Sequence, residues 1–338
     1  MKRMVLGLIA AAAAMVVLTL AASGSASPAS APATRAESSS APAQPRAAVP
    51  HRFAASEPIS AASAPAASLP ACIALFPVQQ VVDLSGPAAA AAAALQAKLD
   101  STFVVLTCPP FVIAGNLSRE QLGGYAQDSI VGPAQAMYAS FFDTRPDKVI
   151  TVLLLADANT YHDWAQRLFG DANIPYYGYY RHAQRTLVMN IATGSGTLVH
   201  ELTHALIAFD WPEVPLWFNE GLASLHEQCQ VAGDRLIGLP NWRLPALPAA
   251  IRRGRLAGLE KLPAADFYGP DRGLNYAQAR YFCQYLQDRG LLRDFYRQYR
   301  ASAAKKQTLE QVIQSVCGCG LDRVDQDMRR WVLTLKWP

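Results

Sequence analysis

The segment TLVHELTHALIAF, residues 197–209, restricts what this chain can fold into more than any other stretch. It carries His200 and His204 four residues apart, with Glu201 directly after the first histidine. Residues i and i+4 of an α-helix project from one face, so the two imidazoles could reach a single cation. The string by itself is also compatible with an ordinary helix that happens to carry two histidines. The surrounding chain has to decide between these interpretations.

The position of Glu201 is informative if this segment is a helix. We expect the helix to begin at Gly196 or Thr197, and its leucines recur every four residues, as in a helix with one buried face. Glu201 is offset by one residue from the histidine pair, so its carboxylate would reach a water bound to a metal rather than the metal itself. That arrangement is typical of a zinc-activated water with a glutamate as general base.

A third ligand is predicted by the next motif, PLWFNEGLASLHE, residues 215–227. It predicts a second helix with Glu220 near its start, sixteen residues after His204. The intervening DWPEVP predicts a chain reversal that returns Glu220 to the two imidazoles. Two neutral nitrogens and one carboxylate leave a fourth position for water, which is typical of catalytic zinc sites. The sequence therefore predicts one Zn²⁺ ion held by His200, His204 and Glu220.

The rest of the folded part predicts a small sheet followed by helices. Strands are expected over 102–116 with an interruption at Pro109-Pro110, over 148–156, and over 176–190 about a turn at RHAQR; helices are expected over 87–100, over 118–142 with a break near Gly132-Pro133, and over 159–170. From Gly221 onwards the pattern is mostly helical. We therefore expect one α+β domain over 71–338, with a sheet half at about 100–190 and a helical half at about 196–338.

The N-terminal segment predicts export. Lys2 and Arg3 precede an apolar run over 4–22, and small residues follow, so a secretory signal cleaved after Ala26 is expected. The apolar run is also long enough to remain as an uncleaved membrane anchor. Residues 27–70 are rich in Ala, Pro and Ser and predict a disordered linker. The protein is therefore expected to be periplasmic or secreted, with membrane contact only through such an anchor.

The cysteines agree with an oxidising compartment. Six are present, at positions 72, 108, 229, 283, 317 and 319. An even number in an exported chain predicts disulfide bonds, although their connectivity cannot be read from sequence. The Cys-Gly-Cys at 317–319 is expected to provide two half-cystines with different partners, with a redox-active pair as the alternative.

At the level of motifs, HELTH followed by WFNEGLA resembles the gluzincin metallopeptidases, the peptidase MA clan that includes thermolysin and aminopeptidase N. The resemblance is closest to small bacterial peptidase MA-like proteins and extends over about residues 100–290. It implies a thermolysin-like catalytic domain and a zinc ion bound as described above, with Glu201 as general base and acid. It also implies that the strand at 186–190 is an edge strand that pairs with the backbone of a peptide substrate.

Two positions depart from the patterns of the clan. The aminopeptidase N group carries a glutamate that binds the free amine of the substrate, whereas the corresponding strand here reads TLVMN. This difference favours an endopeptidase. Thermolysin has an aspartate four residues beyond its glutamate ligand, and Ser224 stands at that position here. Glu227 is the candidate to replace this aspartate, with a plain solvated glutamate as the alternative.

A hydrogen-bond donor to the oxyanion of the transition state is also expected. Tyr276 is the first candidate, and Tyr268 and His226 are weaker ones; Tyr276 could instead be a core residue of an amphipathic helix. His51, His162 and His182 are expected to be surface residues, and the tyrosines at 176–180 to belong to an amphipathic strand.

Three functions remain open from the sequence. The first is an exported zinc-dependent peptidase that acts on peptides or proteins. The second is a catalytically idle zinc-binding protein tethered at the membrane or cell wall. The third is a disulfide-stabilised helical domain with a chance motif. Nucleic acid is excluded as a partner, because the net charge is only +4 and no dense Lys/Arg run is present.

Overall fold

The computed structural model describes residues 82–337. The predicted signal peptide and linker, together with His51 and Cys72, lie outside the described residues. The helices are α1 (Ser85–Gln96), α2 (Arg119–Tyr125), α3 (Gly132–Ser140), α4 (Ala158–Phe169), α5 (Gly196–Asp210), α6 (Leu216–Leu225), α7 (Ala246–Arg252), α8 (Arg272–Asp288), α9 (Leu292–Lys305), α10 (Leu309–Cys317) and α11 (Leu321–Val332). The strands are β1 (Val104–Cys108), β2 (Phe111–Gly115), β3 (Ile150–Leu155), β4 (Gly178–Arg181), β5 (Thr186–Asn190), β6 (Cys229–Ala232) and β7 (Arg235–Gly238).

Within 82–337, no helix has both the length and the apolar content needed to cross a membrane.

Five strands form one mixed sheet in the order β1-β2-β3-β5-β4. β2, β3 and β5 run parallel, while β1 and β4 are antiparallel to their neighbours. The apolar, β-branched sequence of β3 explains its central place, since a strand covered on both faces needs apolar residues at successive positions. The strands predicted on either side of Pro109-Pro110 and of the RHAQR turn are both confirmed as antiparallel pairs.

Both faces of the sheet are covered by helices. Leu153 and Val188 pack on one face with Tyr161 and Trp164 of α4. Val152 and Leu187 belong to the larger core on the other face, which also contains the apolar side of α5. This alternation follows from the two-residue period of a strand. The chain is thus a mixed α/β protein, compatible with the expected α+β class.

The edge of the sheet differs from the prediction. Thr186–Asn190 was expected to be an edge strand, and this expectation is wrong, because β5 pairs with β3 on one side and with β4 on the other. Its backbone groups are therefore used within the sheet. The edge strand on this side is β4, Gly178–Arg181. Tertiary pairing of this kind cannot be read from the order of strands along the chain.

The turn between α5 and α6 brings the two motifs together. α5 begins at Gly196, as expected, and ends one residue before Trp211-Pro212, where the ring of proline disfavours a continued helix. Its leucines at 198, 202 and 206 have no exposed surface. α6 then packs against α8 so closely that a Cβ at Gly221 would lie 2.8 Å from the carbonyl oxygen of Ala279. Glycine at 221 therefore lets α6 carry Glu220 at this depth.

The helical half contains one hairpin that the sequence reading missed. β6 and β7 form a two-stranded antiparallel sheet directly after α6. Gly233-Asp234 at its turn is a hairpin signal, and Gly233 adopts a positive φ of 63°. The interpretation of this half as mostly helical is otherwise confirmed.

The cysteines of the helical half carry free thiols. Cys283 is buried, and Cys229, Cys317 and Cys319 are partly buried. Gly318 has a left-handed conformation at the end of α10 and separates the last two cysteines. Cys317 and Cys319 were expected to be half-cystines with different partners, but neither forms a disulfide bond within residues 82–337. A disulfide bond that involves Cys72, which lies outside the described residues, stays a prediction.

Candidate metal centre

Three side chains from α5 and α6 converge at one point. The Nε2 atoms of His200 and His204 are 3.1 Å apart. Oε2 of Glu220 lies 3.5 Å from Nε2 of His200 and 3.6 Å from Nε2 of His204. All three residues are buried, with relative exposures of 6–9%. His200, His204 and Glu220 thus form a group that could hold a metal ion.

The spacing of these donor atoms fits a tetrahedral ion. Ligands bound at 2.0–2.2 Å in a tetrahedron lie about 3.3–3.6 Å from one another. Of the observed separations, 3.5 and 3.6 Å fall within this range and 3.1 Å is slightly shorter. The two contacts to Glu220 are at or beyond the limit of a hydrogen bond, and Oε2 of Glu220 has no hydrogen-bond partner among residues 82–337. The donor set therefore fits a cation better than it fits a hydrogen-bonded cluster.

The carboxylates around His200 also favour a positive charge at the point where His200, His204 and Glu220 meet. Burial opposes protonation of His200, but the carboxylates of Glu220, Glu227 and Glu201 outweigh it and raise its pKa to about 10. The pKa of Glu220 is correspondingly lowered by the two histidines, against the effect of burial. A proton on His200 and a bound metal ion would relieve the same excess of negative charge.

Each histidine has a partner at its second ring nitrogen. Oδ1 of Asn219 accepts a hydrogen bond from Nδ1 of His204 at 2.9 Å. Oε1 of Glu227 lies 3.4 Å from Nδ1 of His200 without forming a hydrogen bond. Acceptors at these positions favour the ring orientation in which both Nε2 atoms face Oε2 of Glu220. Asn219 was not singled out from the sequence, although its place directly before Glu220 was a usable signal.

Glu227 is held firmly beside His200. Its carboxylate accepts hydrogen bonds from Nε and Nη2 of Arg243, at 2.8 and 2.5 Å, and from Nδ2 of Asn241 at 3.1 Å. Burial raises its pKa, but Arg243 and His200 lower it more, to about 2. The carboxylate is therefore ionised at neutral pH. Ser224 stands where thermolysin has an aspartate, and its hydroxyl has no hydrogen-bond partner within residues 82–337. The carboxylate that faces Nδ1 of His200 is that of Glu227.

Glu201 lies between the two histidines on α5 and is partly exposed, unlike them. Burial of its carboxyl group raises its pKa, and the nearby histidines only partly offset this rise. A carboxylate with a raised pKa is a stronger base than an ordinary one. The role of general base, predicted for Glu201 from the H-E-x-x-H spacing, stays a prediction.

Two tyrosines lie beside Glu220. The hydroxyl of Tyr268 donates to Oε1 of Glu220 at 2.7 Å. Tyr276, on α8, is buried, and its ring centroid lies 6.5 Å from that of Tyr268. Burial raises the pKa of Tyr276 strongly, and the negative charge of Glu220 adds to the rise. Both phenols therefore stay protonated at neutral pH and keep the ability to donate.

The remaining histidines are not brought into the group. His226 is fully buried, where its Nδ1 lies 2.9 Å from the hydroxyl of Thr203 and its ring packs against Phe141. Burial lowers the pKa of His226 to about 3, so it is neutral in the core. His226 was a weaker candidate for the oxyanion donor, and its position in the core beside Thr203 and Phe141 does not favour that role. His162 and His182 are exposed.

No family model matches the sequence, and no curated protein matches it at a significant level. The assignment of a function therefore depends on the motifs and on the geometry of the group formed by α5 and α6.

Proposed function

We propose that this protein is an exported zinc-dependent peptidase with Glu201 as general base, in a thermolysin-like arrangement. The observation that carries the proposal is the convergence of His200, His204 and Glu220 on one buried point. Nitrogen and carboxylate ligands in this number are the set that catalytic zinc sites use. Glu201 follows a ligand directly in the chain and is the partly exposed carboxylate of α5 beside that point.

The ion supplies Lewis acidity when bound, which polarises a carbonyl group and lowers the pKa of a water molecule. Glu201 accepts the proton of the attacking water and passes it to the departing amine. Tyr276 or Tyr268 donates a hydrogen bond to the carbonyl oxygen as negative charge develops there. Glu227 and Asn219 keep the two imidazoles in the orientation that binds the ion.

A peptide or protein is the substrate that this proposal requires. The edge strand β4 has one side unpaired in the sheet of residues 82–337, and such a strand can add an extended peptide through main-chain hydrogen bonds. β5 carries no glutamate that could bind a free amine. We therefore propose endopeptidase activity rather than aminopeptidase activity.

The proposal is tested by digestion of a peptide library with and without a chelator. We expect hydrolysis by the zinc-loaded protein and none after chelation. Glu201→Gln should keep the metal and the thermal midpoint but lower the rate by about 10²–10⁴-fold, because an amide cannot accept the proton. Glu213→Gln, at an exposed position in the α5–α6 turn, is the matched control and should behave as wild type.

Two results would contradict the proposal. Activity of Glu201→Gln near the wild-type level would remove Glu201 from its role. A wild-type protein that holds zinc but cleaves no peptide in the library would instead support the idle zinc-binding protein.

A further inference from the structure

Two arginines contact the aromatic side chains next to Glu220. Cζ of Arg243 lies 4.7 Å from the ring centroid of Tyr276, and Cζ of Arg272 lies 5.6 Å from the same centroid. Arg272 is also 5.7 Å from the ring centroid of Tyr268, whose hydroxyl donates to Glu220. Arg272 is therefore connected to Glu220 through the ring of Tyr268, and Arg243 is connected to His200 through Glu227.

The two arginines differ in their partners. Arg243 forms a bidentate ion pair with Glu227, and this pair supports His200. Arg272 is exposed and forms no ion pair within residues 82–337. Its charge is therefore open to a ligand, whereas that of Arg243 is already neutralised.

The position of Arg272 in α8 is not explained by helix stability. It is the first residue of this helix, and the first turn contains no acidic residue. A cation at the N-terminus of a helix opposes the helix dipole and is therefore unfavourable there. The contacts of Arg272 with Tyr268 and Tyr276 place it beside the candidate centre instead.

An exposed aromatic ring lies beside each arginine, Trp242 beside Arg243 and Tyr268 beside Arg272. Trp242, which follows Asn241 and precedes Arg243 in the chain, is 49% exposed, and Tyr268 is 53% exposed. Large aromatic side chains exposed beside a polar group are typical of binding surfaces. Tyr268, whose ring lies beside Arg272, donates to Oε1 of Glu220 at 2.7 Å, and this contact links the exposed cation to the metal-ligand group.

We propose that Arg272 binds a carboxylate of the substrate, so that the enzyme prefers peptides with a carboxylate near the cleaved bond. The inference rests on the proposed peptidase function. A guanidinium binds a carboxylate through two parallel hydrogen bonds, and in a peptide this group comes from the C-terminus or from an Asp or Glu side chain. Arg272 thereby determines specificity and takes no part in bond breaking.

Binding of defined peptides tests this inference. The protein is the full zinc-loaded chain carrying Glu201→Gln, which leaves the peptides intact. The probes are fluorescein-labelled Ala-Ala-Phe-Ala-Ala with a free C-terminus, the same peptide as its amide, and amidated versions with Glu or Gln after Phe. Fluorescence anisotropy gives the dissociation constant of each. The first pair of probes shows whether a C-terminal carboxylate strengthens binding, and the second pair shows whether an acidic side chain does so.

We expect at least one carboxylate probe to bind about tenfold more tightly than its neutral counterpart, as for a charge-assisted hydrogen-bonded pair. Arg272→Gln should remove this preference without weakening the neutral probes. Arg272→Lys should keep part of it, because the charge remains but the bidentate geometry is lost. Arg253→Gln, at an exposed arginine after α7, is the control and should keep the preference in full. Equal thermal midpoints show that all three variants are folded.

Equal binding of charged and neutral probes to the Glu201→Gln protein with Arg272 intact, or a preference that survives Arg272→Gln, would overturn the inference. Hydrolysis of the library by wild type, measured separately, keeps the two proposals distinguishable. Cleavage without any carboxylate preference contradicts the role of Arg272 alone. A preference that depends on Arg272 in a protein that cleaves nothing contradicts the peptidase function alone.

Discussion

Two buried carboxylates stand on either side of the turn between α5 and α6, and their surroundings differ. Oδ1 of Asp210 accepts from the backbone amides of Asp143 and Thr144 at 2.8 and 2.6 Å. Its Oδ2 accepts from the hydroxyl of Tyr296 at 2.7 Å and from Arg300. Each oxygen of Asp210 therefore has two donors.

Glu220, ten residues further on, has one satisfied oxygen and one that is not. Tyr268 donates to Oε1, whereas Oε2 faces the Nε2 atoms of His200 and His204 without a hydrogen bond. An unsatisfied buried charge is costly unless a cation balances it. The carboxylate of Asp210 thus connects α5 with α9 and with the segment at 143–144, whereas that of Glu220 belongs to a group that could hold a metal ion.

The largest expected effect on stability follows from removing the satisfied carboxylate. Asp210→Ala leaves Tyr296 and two backbone amides without their acceptor and leaves Arg300 paired with Asp143 alone. We expect the free energy of unfolding to fall by about 3–5 kcal/mol, as for a broken buried ion pair. The variant should still bind zinc in its folded state. Urea unfolding measures the free energy of unfolding, and metal analysis of the native protein measures its zinc content. Loss of zinc from Asp210→Ala without loss of stability would contradict the different roles of Asp210 and Glu220.

A second effect concerns the tyrosines beside Glu220. Tyr276→Phe should lower kcat by about 10²–10³-fold and change KM little, because a donor to the oxyanion acts mainly in the transition state. Tyr268→Phe is the matched variant, since it removes the other hydroxyl beside Glu220. Steady-state kinetics with one fluorogenic peptide compares them. An unchanged kcat for Tyr276→Phe would show that Tyr276 is only a core residue. A large loss of kcat in Tyr268→Phe alone would identify Tyr268 as the donor to the oxyanion.

A smaller effect is expected at the outer partner of His200. Glu227→Gln removes the charge that faces Nδ1 and unpairs Arg243, so zinc affinity should fall by about 10–100-fold. Competition with a chelating dye measures this affinity. Glu213→Gln removes an equal charge in the exposed turn and should leave the affinity unchanged. Equal affinities of Glu227→Gln and wild type would reduce Glu227 to a structural partner of Arg243.

The sequence predicted the parts of the site that are close in the chain. His200, Glu201 and His204 lie within five residues of one helix, and Glu220 follows after a short turn. The spacing alone therefore predicts two neighbouring helices, with the histidines on one and Glu220 on the other. The Pro109-Pro110 hairpin and the central strand β3 were predictable for the same reason, since their signals are local.

The parts that depend on distant contacts could not be predicted. The donors to Asp210 include Arg300, which is 90 residues away in the chain, and the Glu227–Arg243 pair requires the path of the chain after β6 and β7. The place of β4 at the sheet edge depends on which strands pair with each other, and the periodicity of the sequence does not show this. Asn219 was within reach of a local argument, because it directly precedes a proposed ligand.

The central claim is that Glu220 is the third ligand of a metal ion. Zinc content after dialysis against a weak chelator tests it most directly, measured for wild type, Glu220→Ala, Glu220→Gln and the control Glu213→Ala. We expect wild type and Glu213→Ala to keep one zinc per chain, Glu220→Ala to lose nearly all of it, and Glu220→Gln to retain an intermediate amount, because an amide oxygen is a weaker, neutral ligand. Equal retention by wild type and Glu220→Ala would contradict the claim.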